Sequence, residues 1–399
     1  MIKSFLNTLK KRSKLFHFFR ILPIIILLVL AGYFAFESTN LKTSLLALGS
    51  AKSKLNQQLS QTKAELTDFK NQDQVKINKK NTEEINNIQN TYSKAVKTYE
   101  QLLSLKEMSA KTSKFDELFT ETLTLLSKKN YASAESKLAE LSKSISDKKN
   151  EIAAAYQPPA NISSSNTPPS SGSSTQQVNS DVGTFTVSII SADLNSTKVI
   201  VDTASGSDCG NDCPVMSLGE YAQRNGAFAA VNGPYFCPAA YPSCAGKTNT
   251  FDTLLMNKDK TYFNSGNNVY STVPAVIFSG NFARFVGQSL EWGRDTGVDA
   301  VIANQPLLLL NGEVVYGNDG EAKRLGKGTR AFIGASGNTV YIGVVHNVTT
   351  SEMAHVLKSL GIQNALNLDS GGSIALWNNG RYLAGPGRNT PFGILLVRK

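Results

Sequence analysis

The most informative segment of the sequence is ALNLDSGGS, residues 365–373, near the C-terminal end of the chain. Its apolar residues predict a buried strand over residues 364–368, which ends at the acid Asp369. Gly371 and Gly372 follow, and glycine adopts backbone angles that are closed to other residues. A carboxylate at a strand end beside two glycines leaves room for a ligand to approach the main chain, and sheets commonly place their chemistry at such ends. We therefore predict a functional site around Asp369.

The C-terminal half of the chain contains many short aliphatic or β-branched runs, which are bounded by turn residues and predict strands. Helices are predicted at residues 218–225 and 351–360, because each has a Ser or Thr placed to cap it and a glycine after it. Many strands with few helices predict an α+β domain, a many-stranded mixed sheet, over residues 179–399. The predicted strands are residues 184–191, 198–202, 228–232, 339–346, 364–369 and 392–398.

The net charge of +10 is unevenly distributed along the 399 residues. Residues 179–399 carry 16 basic and 16 acidic side chains, so the whole excess lies before residue 179. A catalytic domain that binds nucleic acid would carry its own basic face. The distribution therefore argues against nucleic acid as a partner.

The N-terminal region predicts a membrane anchor. Residues 1–14 carry several basic side chains and no acid, and residues 15–36 are almost wholly apolar. Such a stretch is close to the length that spans a bilayer. Because positive flanks stay in the cytoplasm, we expect a single-pass cell-membrane protein with a cytoplasmic N-terminus and an extracellular remainder. A cleaved signal peptide is the alternative, but the apolar run is not followed directly by a small-x-small cleavage site.

Residues 37–156 predict a helical stalk. Apolar side chains recur there with heptad spacing, which is typical of a coiled coil that would make a homo-oligomer. The alternative is a single amphipathic helix packed on its own neighbours. The Pro/Ser/Thr-rich residues 157–178 hold few large apolar side chains and predict a flexible linker. The heptad positions are Leu41, Leu45, Leu48, Leu55, Leu59, Leu66 and Phe69.

All the cysteines, Cys209, Cys213, Cys237 and Cys244, lie in the domain that we expect outside the cell. An even number of cysteines in an oxidising compartment predicts disulfides, for which three connectivities exist. We predict the local pairs Cys209–Cys213 and Cys237–Cys244, because each would close a small loop. A zinc site is the alternative, although the wide spacing of the second pair does not suit it. We predict no metal and no cofactor.

Three further segments share one resemblance with residues 365–373. They are AAVNGPYF at residues 229–236, RAFIG at 330–334 and GRNT at 387–390. In this order, over roughly residues 181–399, the set resembles the phosphodiester glycosidase family. The resemblance agrees with the α+β fold. It implies a hydrolase that cleaves the glycosidic bond of a sugar-1-phosphodiester.

This chemistry requires a carboxylate and a phosphate-binding cation. Because a phosphate ester leaves readily, the enzyme must mainly hold the phosphate and stabilise positive charge at the anomeric carbon. Asp369 is predicted to be the catalytic carboxylate, as nucleophile, base or stabiliser, and the alternative is an Asp that caps its own turn. Arg330 is predicted to grip the phosphate, the alternative being a surface ion pair.

Predicted substrate-binding residues come from the same motifs. An amide can bond sugar hydroxyls or phosphate, a tyrosine ring can stack on a sugar, and glycine N–H groups with a hydroxyl can bond an anion. A second arginine, Arg388, is predicted to bind phosphate, the alternative being a surface ion pair. These residues are Asn232, Gly233, Tyr235, Gly371, Gly372, Ser373 and Arg388.

The motifs leave the second acid of the site open and depart from the family in two places. VVHN, residues 344–347, stands where many members carry Asp-Gly-Arg, and Ser370 replaces a glycine. Glu352 matches the family pattern but is also placed to interact with a helix dipole. The other candidate acids are Asp252, Glu291, Asp295 and Asp299.

The leading functional hypothesis is a membrane-anchored extracellular hydrolase that acts on sugar-phosphate glycans of a cell wall or capsule. The alternative is a catalytically inactive glycan-binding module on a stalk, which the missing Asp-Gly-Arg favours. In a third hypothesis the stalk recruits partners and the globular domain is a spacer.

Overall fold

The computed structural model describes residues 2–108, 111–158, 160–267 and 272–399, with side chains from Leu22 onward except those of residues 267 and 322. The basic side chains of the predicted cytoplasmic tail and Pro159 of the predicted linker therefore lie outside the described part. The chain divides into two compact units, residues 1–86 and 87–399.

The first unit is dominated by one long helix, α1 (Ile2–Asn71), and contains the start of α2 (Asp73–Met108). Within α1, the segment from Leu22 contains a window long and apolar enough to cross a membrane. The predicted heptad side chains of α1 are exposed, Leu48 at 71%. The coiled coil stays a prediction, because a single chain leaves this seam uncovered.

The second unit begins with helices that the sequence placed in the stalk. The last turns of α2 pack against α3 (Ser113–Ser127) and α4 (Tyr131–Ala154) through two small apolar clusters. The α3–α4 turn forms where Asn130 caps α4, its side chain accepting a hydrogen bond from the N–H of Ser133 at 3.3 Å. Residues 87–108 and 111–156 thus form a packed helical segment of the domain-bearing unit, where the sequence predicted a stalk.

The rest of the second unit is a β-rich domain. Its helices are α5 (Leu218–Arg224), α6 (Ala322–Leu325) and α7 (Thr350–Ser359). In chain order, its strands are β1 (Gly172–Ser180), β2 (Gly183–Asp193), β3 (Thr197–Thr203), β4 (Ala229–Asn232), β5 (Leu255–Met256), β6 (Tyr262–Phe263), β7 (Ala275–Ser279), β8 (Phe282–Val286), β9 (Ala300–Ala303), β10 (Leu307–Leu310), β11 (Glu313–Val314), β12 (Gly328–Ser336), β13 (Thr339–Val348), β14 (Asn364–Ser370), β15 (Leu376–Asn378), β16 (Arg381–Ala384) and β17 (Phe392–Arg398).

These strands form three sheets around one core. The first sheet has the order β1-β2-β13-β12-β14-β10-β11, the second β16-β15-β4-β17-β3 and the third β6-β5-β9-β7-β8. The largest apolar cluster contains Ile333 from the first sheet, Val231 from the second and Ile302 from the third. Helix α7 covers the other face of the first sheet and α5 covers the second. The central strands are nearly continuous apolar runs because they are buried on both faces. Many strands with few helices in this domain confirm the α+β class.

One boundary differs from the prediction. Residues 172–178, which the sequence placed in the linker, belong to β1. All of β1 pairs with β2. Val178 is fully buried, and the side chain of Gln176 donates to the carbonyl of Ser165 at 2.8 Å. An edge strand needs backbone hydrogen bonds more than apolar side chains, so its polar sequence resembled a linker.

Two disulfides close the loops on either side of β4, Cys209–Cys213 and Cys237–Cys244. The local pairing predicted from the spacing is confirmed, and the zinc alternative is wrong because both thiol pairs are bonded. The second bridge closes the loop that carries Tyr241.

Leu141 of α4 is fully buried against α2 and α3, whereas Leu123 of α3 is 45% exposed. We expect Leu141→Ala to lower the free energy of unfolding by about 2–5 kcal/mol, because it removes apolar contacts and leaves a cavity. Leu123→Ala should change that free energy by about 0.5 kcal/mol or less. Urea unfolding of the full chain measures both free energies, and equal effects would contradict the packing of α3 and α4 on α2.

Candidate active site

The site lies where the first and second sheets meet, at the ends of β14 and β4. Asn232 is 1% exposed and connects the two sheets through its amide. Its Nδ2 donates to the carbonyl of Asp369 at 2.8 Å, and its Oδ1 accepts from the N–H of Ala375 at 3.1 Å. Both ends of this amide are therefore bonded to backbone. The structure places Asn232 under the site, as the residue that holds Asp369 in position.

Gly233 completes this junction. Its carbonyl accepts from the N–H of Asp369 at 3.0 Å. A Cβ at this position would collide with the ring of Phe392, so glycine is required for the close approach of β4 and β17.

Asp369 is the last residue but one of β14 and is partly exposed. One carboxylate oxygen accepts from the N–H of Ser370 at 2.8 Å, and the hydroxyl of Ser373 also bonds to the carboxylate. Burial raises the pKa of Asp369 to about 6, and the negative charge of Asp252 adds to the rise. The two hydrogen bonds and the nearby guanidinium of Arg388 act in the opposite direction. The result is a carboxyl group that titrates near neutral pH.

The glycine loop after Asp369 is fastened to the segment that carries Arg388. The N–H of Arg388 donates to the carbonyl of Gly372 at 2.7 Å, and Gly371 has a φ of +64°. A Cβ on Gly372 would overlap the Arg388 guanidinium, so the bare glycine lets this cation reach the loop. The guanidinium also lies 5.5 Å from the ring centre of Tyr241. Arg388 is thus the guanidinium that neighbours Asp369.

A carboxylate from the helical segment enters the same loop. Glu107, in the last turn of α2, accepts from the N–H of Gly372 at 2.8 Å and forms an ion pair with Arg388. Lys149 of α4 is close enough to Glu107 and Lys323 for both to act on its pKa, which burial lowers.

Arg330 is placed differently from the prediction. It pairs with Ser370 across β12 and β14, so its backbone lies beside the motif. The residue, however, is only 4% exposed, and its guanidinium donates to the carbonyls of Lys323, Arg324, Gly326 and Val348. These bonds hold the 323–326 backbone. A role for Arg330 as a phosphate clamp has no contact to support it here, because phosphate recognition needs donors that face the ligand.

Tyr235 joins a buried polar cluster instead of a sugar-stacking surface. Its hydroxyl accepts from Nδ2 of Asn367 at 2.8 Å and also bonds Arg324. Its N–H donates to Oδ1 of Asn304 at 3.1 Å, and Asn304 donates to the carbonyl of Asn367. Burial raises the pKa of Tyr235. The cluster fixes the strand ends that carry the site.

Of the acids considered as a second carboxylate, Asp252 is the one whose charge acts on Asp369. It follows Phe251, which forms an antiparallel bridge with Phe236, so it lies opposite Tyr235. Asp252 is exposed as a residue, and the protein around its carboxyl group raises its pKa by partial desolvation. The other candidate acids bond elsewhere. Glu352 caps α7 together with Thr349. The remaining three each accept a hydrogen bond from a nearby backbone N–H: Glu291 from Gln288, Asp295 from Gly297 and Asp299 from Gly280.

The segment that replaces Asp-Gly-Arg is part of the fold. Val344 and Val345 are fully buried in β13. His346 stacks on Tyr156 with ring centres 5.7 Å apart, and burial lowers its pKa. Within the described residues, no group of three or more His, Cys, Asp or Glu side chains is arranged to hold a metal.

Sequence reasoning missed Glu107, Tyr241, Lys323 and the two buried asparagines. Asn367 lies inside the quoted motif, and Tyr241 lies between paired cysteines, so both had a local signal. Glu107 had none, because it is 265 residues from its partner Gly372.

Comparison with known proteins gives the following findings. The catalytic domain of the zebrafish N-acetylglucosamine-1-phosphodiester alpha-N-acetylglucosaminidase, auto-inhibited by its pro-peptide, superposes with a TM-score of 0.45 and 16% identity, covering 60% of this chain and 87% of that one. A hypothetical protein from Synechocystis superposes with a TM-score of 0.39 and 12% identity, covering 57% of this chain and 62% of that one. No curated protein sequence matches this chain.

Residues 225–397 match the model of the phosphodiester glycosidase family. This range contains the β4 motif, the β12 motif, the Asp369 loop and the Arg388 segment. The resemblance inferred from those four motifs is therefore confirmed over residues 225–397.

Proposed function

We propose that the chain is a hydrolase that cleaves the glycosidic bond of sugar-1-phosphodiesters. The observation that carries the proposal is a carboxyl group with a pKa of about 6, Asp369, held at a strand end beside the guanidinium of Arg388. The substrate couples an anionic phosphate to an anomeric carbon that becomes positive in the transition state. A carboxylate next to a cation matches those two charges.

The roles follow from the charges. Ionised Asp369 stabilises the oxocarbenium-like transition state, as nucleophile or as an electrostatic partner. Arg388 and the N–H of Gly372 bind the phosphate, because a guanidinium and a backbone donor are both suited to an anion. Asp252 is the proposed second carboxylate, which would direct water to the anomeric carbon. The leaving phosphate ester is weakly basic and needs little protonation.

The setting of the enzyme is also a proposal. The apolar segment of α1 would anchor the chain in the cell membrane, with the N-terminus cytoplasmic. The two disulfides support an extracellular domain. Sugar-phosphate glycans of the cell wall or capsule would then be the substrates within reach. The exposed heptad side chains of α1 would pair with those of other copies, which gives a homo-oligomer.

A glycan-binding module without turnover is the second candidate. The observation that favours it is the burial of Val344 and Val345 where related domains carry Asp-Gly-Arg. Binding of a sugar-phosphate polymer with no release of sugar would support this candidate over the hydrolase.

Asp369→Asn should lower kcat for a methyl diester of N-acetylhexosamine-1-phosphate or hexose-1-phosphate by about 100- to 10,000-fold, because the neutral amide cannot stabilise positive charge. Asparagine keeps an acceptor for the N–H of Ser370, so the fold should persist. Asp295→Asn is the matched control, since Asp295 also accepts a backbone N–H, from Gly297 at 2.7 Å. Sugar release by the full chain measures the effect, and full activity in Asp369→Asn would refute the role.

The pH dependence should follow the titration of Asp369. Its pKa is raised to about 6, so the ionised form is lost as pH falls through 6, and kcat/KM should fall with it. Asp252→Asn removes a negative charge that raises this pKa, so the acidic limb should move to lower pH. A pH profile of kcat/KM for the parent protein and for Asp252→Asn tests this. An acidic limb at the same pH in both would show that Asp252 does not act on the pKa of Asp369.

Arg388→Ala should lower kcat/KM by about 10- to 100-fold, mainly through KM, because a charge-assisted bond to phosphate is lost. Arg381→Ala, at an exposed position of β16, is the control and should leave kcat/KM unchanged. Comparable kinetics for the two variants would show that Arg388 does not contact the substrate.

A further inference from the structure

The loop that is proposed to bind phosphate already holds an anion from the protein itself. One oxygen of Glu107 accepts from the N–H of Gly372 at 2.8 Å, and the other pairs with the guanidinium of Arg388. A planar carboxylate thus spans one backbone donor and one cation. Two oxygens of a phosphate group present the same pair of acceptors, so the carboxylate and a phosphate require the same seat.

The surroundings of Glu107 are cationic. Besides Arg388, Lys149 of α4 lies close enough for its positive charge to interact with that of Glu107, and Lys149 is in turn close to Lys323. Tyr241 is the neighbouring phenol, and the negative charge of Glu107 raises its pKa after the larger effect of burial. Without Glu107 the seat would gather Arg388, Lys149 and Lys323 with no opposing carboxylate from α2. Such a cluster favours an anion of more than one charge.

The helix that carries Glu107 is fixed by other contacts. Glu100, two turns earlier, accepts from the N–H of Ser243 at 3.1 Å. Leu102 and Leu105 are fully buried against α4. Glu107 itself is at the end of α2 and its side chain is 26% exposed. Its side chain can therefore leave the seat by rotation while α2 stays docked.

We propose that the Gly372 N–H and the Arg388 guanidinium form a phosphate-binding seat and that Glu107 is its internal ligand, which a phosphate-bearing ligand must displace. The proposal rests on the proposed function for the class of ligand. It adds that the helical segment competes with the ligand for the site, through Glu107. Hydrolysis then depends on how often the seat is free of Glu107.

The size of the effect follows from the population of the open seat. When a competent state is only fractionally populated, the observed dissociation constant rises by the inverse of that fraction. A contact formed for about nine-tenths of the time weakens phosphate binding about tenfold. Removal of the Glu107 charge should recover that factor.

The test is the affinity of the full-length protein for inorganic phosphate, measured by isothermal titration calorimetry. We expect Glu107→Gln to bind phosphate about tenfold more tightly than the parent protein, and Glu107→Ala at least as tightly as Glu107→Gln. Glu117→Gln removes an exposed carboxylate from α3 of the same segment and should leave the affinity unchanged. Arg388→Ala combined with Glu107→Gln should lose the gain.

Unchanged or weaker phosphate binding in both Glu107 variants would overturn the inference, as would an equal gain in Glu117→Gln. The readout is independent of turnover. Tighter phosphate binding without release of sugar from a sugar-1-phosphodiester would keep the internal ligand and reject the hydrolase. Sugar release with no change in phosphate affinity in the Glu107 variants would support the hydrolase and reject Glu107 as the internal ligand.

Discussion

The site depends on one buried amide. Asn232, at the end of β4 in the second sheet, donates to the backbone of Asp369 in the first sheet and accepts from the backbone of Ala375, just before β15. Each such bond contributes only about 0.5–1.5 kcal/mol, but a buried donor or acceptor left without its partner costs about 1–3 kcal/mol. The amide therefore fixes the relative position of the two strand ends more firmly than its net stabilisation suggests. Where Asp369 points follows from this junction.

That position sets the electrostatics of the site. Asp369 is buried enough for its pKa to rise to about 6, yet it keeps bonds to Ser370 and Ser373 and a neighbouring cation in Arg388. Burial penalises the ionised form, and the bonds and the cation favour it. The balance leaves a carboxyl group whose charge changes near physiological pH, which suits a group that stabilises developing positive charge. Two glycines make the arrangement possible, since Gly233 and Gly372 each leave space that a side chain would fill.

Much of the fold could be predicted from the sequence, for a local reason. Strands such as β3, β4 and β14 are apolar runs with turn residues on both sides, and α5 and α7 carry their caps at Ser217 and Thr349. The edge strand β1 could not be recognised, because its hydrogen bonds come from β2 and not from its own side chains. The packing of residues 87–156 was also missed, since an amphipathic helix has the same pattern whether its apolar face meets a neighbouring helix or another chain.

Four features follow from the sequence alone: the α+β class, the disulfide pairs, the apolar N-terminal helix and the two motifs that contain Asp369 and Arg388. These features are written in short segments, where neighbouring residues decide the outcome. Three contacts follow from tertiary packing alone: the Arg330 guanidinium donates to backbone carbonyls, Asp252 is the acid coupled to Asp369, and Glu107 reaches Gly372. The last two contacts join residues far apart in the chain, and the first depends on the 323–326 backbone folding over the Arg330 side chain. All three depend on how sheets, helices and loops pack, which no local pattern encodes.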